Sequence, residues 1–421
     1  MALNFPPVSA LNPPVTAEDF QPRSRDLRLY LAIRFATTLG TQIQSVAVGW
    51  QVYDITRDPV ALGYVGLSVF LPMLLLVLPA GDMADRVDRR FMLMASYLVQ
   101  IAASAAMLTL TLTGVTSMWA FYSVITLLGV ALGLSQPAMQ SVLPFLVTLD
   151  KLPQAIAWNS SAFRIAVIGG PAVGGFLYDF GAATNYSLCL VLYVFVFIGM
   201  ASLRIRPQKR APGGSAYKRI VDGIVYMRRR PILFGAISLD LFAMFLGGTN
   251  ALLPIFARDI LQIGPAGLGF LRTAPAMGAA VVAFVLSRWQ LHRHTGKAMF
   301  ACVAMFGVAT IVFGLSRELW LSVVALAVTG AADMISVYVR SAYIQLATPD
   351  HMRGRVGSVN SLFISASNEL GEFRSGMTAG ALGTVPAVVV GGFGTLCVVG
   401  LWMWLFPPLR RVDRFSEVTA E

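Results

Sequence analysis

The stretch "GDMADRVDRR", residues 81–90, places six charges directly behind the almost wholly apolar run 59–80. A typical soluble domain is about a quarter charged. This chain of 421 residues is 13% charged and 56% hydrophobic, with a mean hydropathy of +0.69. A charge run in such a chain marks a point where it leaves an apolar solvent. Further apolar runs recur from residue 27 to residue 407, and no polar segment between them is large enough to fold alone. The composition therefore specifies an all-α integral membrane protein, because a chain crossing lipid must satisfy its backbone internally.

Working outward from 81–90, runs of about 20 apolar residues predict spans at 27–53, 60–82, 91–113, 118–137, 154–178, 184–204, 231–257, 266–288, 298–315, 319–341, 356–380 and 384–407. Turn-forming stretches such as "ITRDP" (55–59), "DFGAATN" (179–185) and "IGPAG" (263–267) separate them. A polar linker at 205–230, ending in a short amphipathic segment around Ile220 to Met227, divides the twelve spans into halves at 27–204 and 231–407. Residues 1–26 are Pro-rich and polar, without the apolar core of a secretory signal, and read with 408–421 as cytoplasmic tails.

Of the 32 Lys and Arg residues, 24 lie on or beside the tails, the linker and the other even-numbered loops. The odd-numbered loops hold only Arg57, Arg258 and Arg317. The positive-inside rule then puts both termini and the linker in the cytoplasm. The same bias, with attraction to anionic lipid, explains the net charge of +11 without nucleic-acid binding.

Two six-span halves joined by a basic linker suggest a repeat transporter, and residues 81–90 resemble the G-x-x-x-D-R-x-x-R-R signature of the major facilitator superfamily. Gly81, Asp85, Arg86, Arg89 and Arg90 match, while Asp88 stands where many members carry glycine. "AVIGGPAVGG" (166–175) resembles the G-x-x-x-G-P-x-x-G-G element of the antiporters of that superfamily, with Ala166 in place of the first glycine and Gly170, Pro171, Gly174 and Gly175 matching. Arg34, Arg164 and "TPDHMRGRVGS" (348–358) are similar to the bacterial branch containing macrolide-efflux and enterobactin-export proteins. The resemblance implies two pseudo-symmetric six-helix bundles that alternate access to a central site. Asp85 is then expected to accept hydrogen bonds from the free backbone N–H groups near Gly354 to Ser358, at the cytoplasmic start of the eleventh span. The alternative meaning of the charge run is a topology signal alone, and of the glycines, close helix packing.

Ionisable groups inside the spans each need a reason, since one costs at least about 2.5 kcal/mol to insert. Arg34, about 10 Å deep at 1.5 Å per residue, continues into a stripe with Thr38, Gln42 and Ser45. Arg164 and Asp240 lie about 15 and 13 Å deep by the same rise. Asp333, Ser336 and Arg340 share a face of the tenth span; Glu369 and Glu372 share a face of the eleventh, and Arg374 points away from them. A carboxylate that is desolvated or set beside another holds its proton more readily, so Asp240, Glu369 and Glu372 are the proton-coupling candidates. Arg34, Thr38, Gln42, Arg164, Asp333 and Arg340 are the cavity candidates, with structural ion pairing, such as Asp333 with Arg340, the competing explanation. Arg272, near the outer end of its span, reads as a snorkelling residue. Trp50, Trp119, Trp320, Trp402 and Trp404 read as interfacial belt residues, and His292 and His294 as solvated.

No P-loop, G-x-S-x-G elbow or cluster of metal ligands is present in the sequence, and Cys189, Cys302 and Cys397 lie in apolar runs. The expectation is a monomeric secondary transporter without cofactor, whose partners are a small-molecule substrate, protons and membrane lipid. The resemblance points to proton-coupled export of a small amphipathic compound, drug-like or siderophore-like, from the inner membrane. Import, or carriage of a lysophospholipid, on the same fold stays open, and an integral-membrane enzyme is the disfavoured alternative of another class.

Overall fold

The computed structural model describes residues 24–418 apart from 87, 149 and 204–215, so most of the N-terminal tail and much of the linker lie outside the described residues. Six long helices form the first half: α1 (Ser24–Thr56), α2 (Pro59–Arg86), α3 (Arg89–Leu112), α4 (Met118–Val142), α5 (Leu152–Tyr178) and α6 (Ala182–Ser202). The linker helix α7 (Ala216–Arg228) leads into α8 (Pro231–Gly247), α9 (Gly264–Arg288), α10 (Thr295–Leu315), α11 (Leu319–Ala347), α12 (Asp350–Leu382) and α13 (Thr384–Leu405), followed by the short α14 (Pro407–Arg411). Among the described residues, ten helices are long and apolar enough to cross a membrane. The two long helices outside that set, α1 and α12, each have 33 residues and carry much of the intramembrane charge.

The seventh span differs from the continuous 231–257 helix expected. α8 stops at Gly247, and the chain continues through a 3₁₀ turn (Asn250–Leu252), a helical turn (Leu253–Ile255) and a π-helical segment (Phe256–Ile260). Gly247, Gly248 and Pro254 are the sequence reasons, since each weakens or removes a helical hydrogen bond. Arg374 and Ser375 of α12 satisfy the freed carbonyls: Arg374 Nη2 donates to Leu246 O, and Ser375 Oγ donates to Gly248 O at 2.7 Å. The arginine that points away from the glutamates is thus a cap for a broken helix.

The start of α1, the end of α6, α7 and α14 lie at one end of the bundle, the terminal end; the 54–58 and 258–264 turns mark the far end. One apolar cluster at the far end joins Val46, Val52 and Leu62 of the first half to Leu252, Phe256 and Leu268 of the second. Toward the terminal end the clusters stay within a half: Tyr30, Leu93 and Val142 in one, and Ala236, Val339 and Trp402 in the other. Among the described residues, the halves therefore share an apolar core at the far end and keep separate cores toward the terminal end.

Glycine makes the far-end closure possible. A Cβ on Gly63 of α2 would stand 3.0 Å from Phe373 O of α12, and one on Gly376 would stand 2.6 Å from Gly63 Cα. On the other side of the bundle, a Cβ on Gly175 of α5 would stand 2.9 Å from Gly269 Cα of α9, and one on Gly269 would stand 2.6 Å from Pro171 O. These are backbone-to-backbone approaches that only small residues permit.

Two of the tryptophans expected in the interfacial belt are instead buried. Trp402 donates from Nε1 to Ser238 Oγ at 3.0 Å, and Trp50 packs on Tyr178 and under the Arg258 guanidinium. Trp119, Trp320 and Trp404 are exposed. His294 is exposed but caps the C-terminal segment, with Nδ1 at 2.6 Å from Asp413 Oδ1.

Candidate functional site

A cavity of about 250 Å³ lies between the halves, beneath the far-end closure. Its first-half wall comes from α1, α2, α4 and α6 through Gln42, Ser45, Val69, Leu128 and Tyr193, among others; its second-half wall comes from Ala251, Arg272, Glu369 and Glu372. Polar groups in the first half are held by neighbours: Tyr193 donates to Gln44 Oε1 at 3.2 Å, and Gln44 Nε2 donates to Ser104 Oγ at 3.3 Å. The lining mixes apolar surface with a few fixed polar groups, the usual composition of a small-molecule site.

Glu369 and Glu372 stand one helical turn apart on the cavity face of α12, within Coulombic range of each other. Arg272 of α9 shares that space, within range of Glu372. It does not snorkel. Its Nη1 donates across the seam to Ser45 Oγ at 2.7 Å, because the far-end closure covers this end of α9 and leaves the guanidinium facing α1. Sequence depth placed Arg272 near an outer surface but carried no information on which neighbour covers that surface.

The remaining candidates sort differently. Asp240 and Arg340 form an ion pair buried inside the second half, with Ser336 Oγ donating to Asp240 Oδ1 at 3.2 Å. Asp333 lies within Coulombic range of both. The pairing thus runs from α8 to α11, where the Asp333 with Arg340 alternative kept it within one helix. Arg34 stacks on Phe163 of α5, 4.8 Å from the ring centroid, and its carbonyl accepts from Thr38 Oγ1 at 2.9 Å. Arg164 is exposed on the terminal half of α5, where Ile156, Trp158 and Ile165 are exposed too.

The glycine element of α5 serves two seams. A Cβ on Gly170 would stand 2.5 Å from Gln42 Cβ, and one on Gly174 would stand 3.0 Å from Ile43 Cα, both on α1; Gly175 faces α9. In the 81–90 stretch, the side chains of Gly81, Asp85 and Arg86 lie outside the described residues. Asp88 is the N-cap of α3, accepting from Arg90 N at 2.8 Å with φ −58°, so the turn there does not need glycine. Arg89 stacks on Phe145, 4.7 Å from its centroid, and Arg90 donates to Ala201 O.

A second charged site, absent from the sequence-based candidates, closes the far end. Asp54 of α1 pairs with Arg258 and Arg57 pairs with Asp259 at 3.7 Å, while Tyr53 donates to Asp259 Oδ2. The available signal was the charge bias itself: Arg57 and Arg258 are two of only three cations on the odd-numbered loops.

A two-half helical bundle with a central cavity sealed at one end defines a transporter of the major facilitator fold, and not an enzyme. The chain belongs to the transmembrane secretion effector family, which it matches over residues 21–419. It is 27% identical over 405 residues to the enterobactin exporter EntS of Shigella boydii serotype 18, covering 93% of this chain and 95% of that one. Among solved structures it is similar to a POT family transporter in complex with a thioalcohol-conjugated peptide (TM-score 0.74, 12% identity, 94% of this chain and 99% of that one). It is also similar to an inward-facing bacterial homologue of the lysosomal transporter Spinster (TM-score 0.66, 15% identity, 94% and 97%).

Proposed function

We propose that the chain exports a small amphipathic compound of the siderophore class in exchange for protons, as a monomer in the cytoplasmic membrane with both termini in the cytoplasm. The observation that carries this reading is the placement of Glu369 and Glu372 together in the cavity at the seam between the halves. A carboxylate pair in a desolvated seam can take up protons when substrate leaves and release them when substrate enters. The basic linker and tails assign the terminal end to the cytoplasm, so the far-end closure corresponds to the state that loads substrate from the cytoplasm. The exporter relatives support the direction and the substrate class.

Alternating access then consists of opening the far end while the terminal end closes. The 81–90 stretch is the proposed gate for that second closure, with Asp85 meeting the start of α12. Asp240, held by Arg340, is better suited to keeping α8 and α11 in register than to exchanging protons.

The deciding experiment measures enterobactin movement in liposomes containing the purified protein under an imposed pH gradient. Accumulation should follow the gradient, and Glu369→Gln and Glu372→Gln should each abolish the coupling. Transport that persists unchanged after the gradient is collapsed, and in both variants, would end the exchange reading. Uptake opposite to the predicted direction would make the chain an importer.

A further inference from the structure

The exchange reading leaves Arg272 unused, although its guanidinium sits in the same cavity as both glutamates. We infer that Arg272 fixes the proton capacity of the Glu369–Glu372 pair at one. The inference rests on the proposal that these carboxylates bind protons, and adds what sets their number.

The guanidinium is pinned. Its Nη1 is held by Ser45 Oγ at 2.7 Å, a Cβ on Gly49 would stand 3.0 Å from Nη2, and Nε is buried with no hydrogen-bond partner. Glu372 is held from the other side: a Cβ on Gly66 of α2 would stand 3.1 Å from Glu372 Cβ and 3.6 Å from Oε2. The guanidinium is thus anchored to α1, while Glu372 lies against α2.

Among the described residues, the other ionisable groups near this level are accounted for. Tyr64 of α2 stacks on Phe373, Tyr193 of α6 bonds Gln44, and Arg374 of α12 turns to Leu246 O. On α8, Asp240 is bound by Arg340, Asp333 of α11 lies with that pair inside the second half and not on the cavity wall, and on α1, Arg34 lies eleven residues before Ser45, about 16 Å toward the termini. The charge of the cavity is thus set by two carboxylates and one guanidinium.

With both carboxylates ionised the trio carries one net negative charge; one proton makes it neutral. Passing between the two open states requires the cavity to shed water, and net charge in a desolvated site is penalised. The neutral trio is the one that passes. It holds one proton, or no proton when the substrate brings one positive charge. Without Arg272 the same pair would need two protons.

Infrared difference spectroscopy on the full-length protein in liposomes can count these protons without a substrate. The readout is the protonated-carboxyl band lost on raising pH, after subtraction of the same difference for the Glu369→Gln/Glu372→Gln variant. Arg272→Gln should double the band, and Arg272→Lys and Ser45→Ala should leave it at the wild-type amplitude. Glu369→Gln alone should abolish it, because Arg272 lies within range of the Glu372 carboxylate that remains. Equal bands in Arg272→Gln and wild type, or a full band in Glu369→Gln, overturn the inference. The Glu369→Gln variant decides the matter if Arg272→Gln does not fold. A wild-type band no larger than that of the double glutamate variant removes the proton-binding reading itself, and this inference with it.

Discussion

Asp54, near the end of α1, and Arg258, in the π-helical segment beyond the break in α8, form an ion pair that ties the two halves together at the far end. Both groups are partly exposed, 45% and 24%, so the pair is weak by itself, about 0.2–1 kcal/mol. Arg57 with Asp259 and Tyr53 with Asp259 add to it, and Trp50 lies 5.6 Å under the Arg258 guanidinium. Asp54→Arg should open the far end, read as faster thiol labelling of a cysteine introduced at Val48 on the cavity wall. The charge exchange Asp54→Arg/Arg258→Asp should restore the wild-type rate. Raising the salt concentration should also open the wild-type latch, since exposed ion pairs are screened.

The far-end seam depends on glycine contact as well as on charge. Gly175→Val would press its side chain into Pro265 and Gly269 of α9, where the backbones already meet. Such overpacking costs about 1–3 kcal/mol, and it is paid only in the closed state. A bias of that size moves a two-state population by roughly 5- to 150-fold. Distance measurements between spin labels across the far end should show the open population rising, with transport falling. Gly169→Val, at a glycine with open space around it, should leave both near wild type.

The long helices, the charge asymmetry and the shared face of the two glutamates were legible because each is local: a run of apolar residues, a count of Arg and Lys, a spacing of three on one helix face. Arg272 was not, because depth along a helix does not reveal which neighbour covers it. The Asp240 to Arg340 pairing depends on how α8 and α11 pack, information spread over 100 residues of chain. The break after α8 was legible in principle, from Gly247, Gly248 and Pro254, but the surrounding apolar residues masked it. The far-end latch had a signal too, in two arginines standing against the positive-inside bias.

Asp240 and Arg340 predict a separation of stability from transport. Removing one partner of a buried pair leaves an uncompensated charge, at a cost of about 3–5 kcal/mol. Asp240→Asn should lower the thermal unfolding midpoint of the detergent-purified protein substantially. Asp240→Leu with Arg340→Met, which removes both charges, should recover most of the loss. If Asp240 serves packing alone, the double variant should also retain pH-driven transport; loss of coupling at recovered stability would assign Asp240 a proton.

The far-end latch and the proposed terminal gate act on one equilibrium from opposite ends, so their variants should offset each other. Asp54→Asn weakens closure at the far end and favours the outward-open state. Asp85→Asn weakens closure at the terminal end and favours the inward-open state. Each single variant should change the labelling of a cavity cysteine in its own direction, and the double should return toward wild type. Asp54 at the far end of α1 and Asp85 at the terminal end of α2 are remote from each other, so their effects should add to within about 0.3–0.5 kcal/mol. A double variant that labels like Asp54→Asn alone would mean that Asp85 does not contribute to closure, and that residues 81–90 serve topology alone.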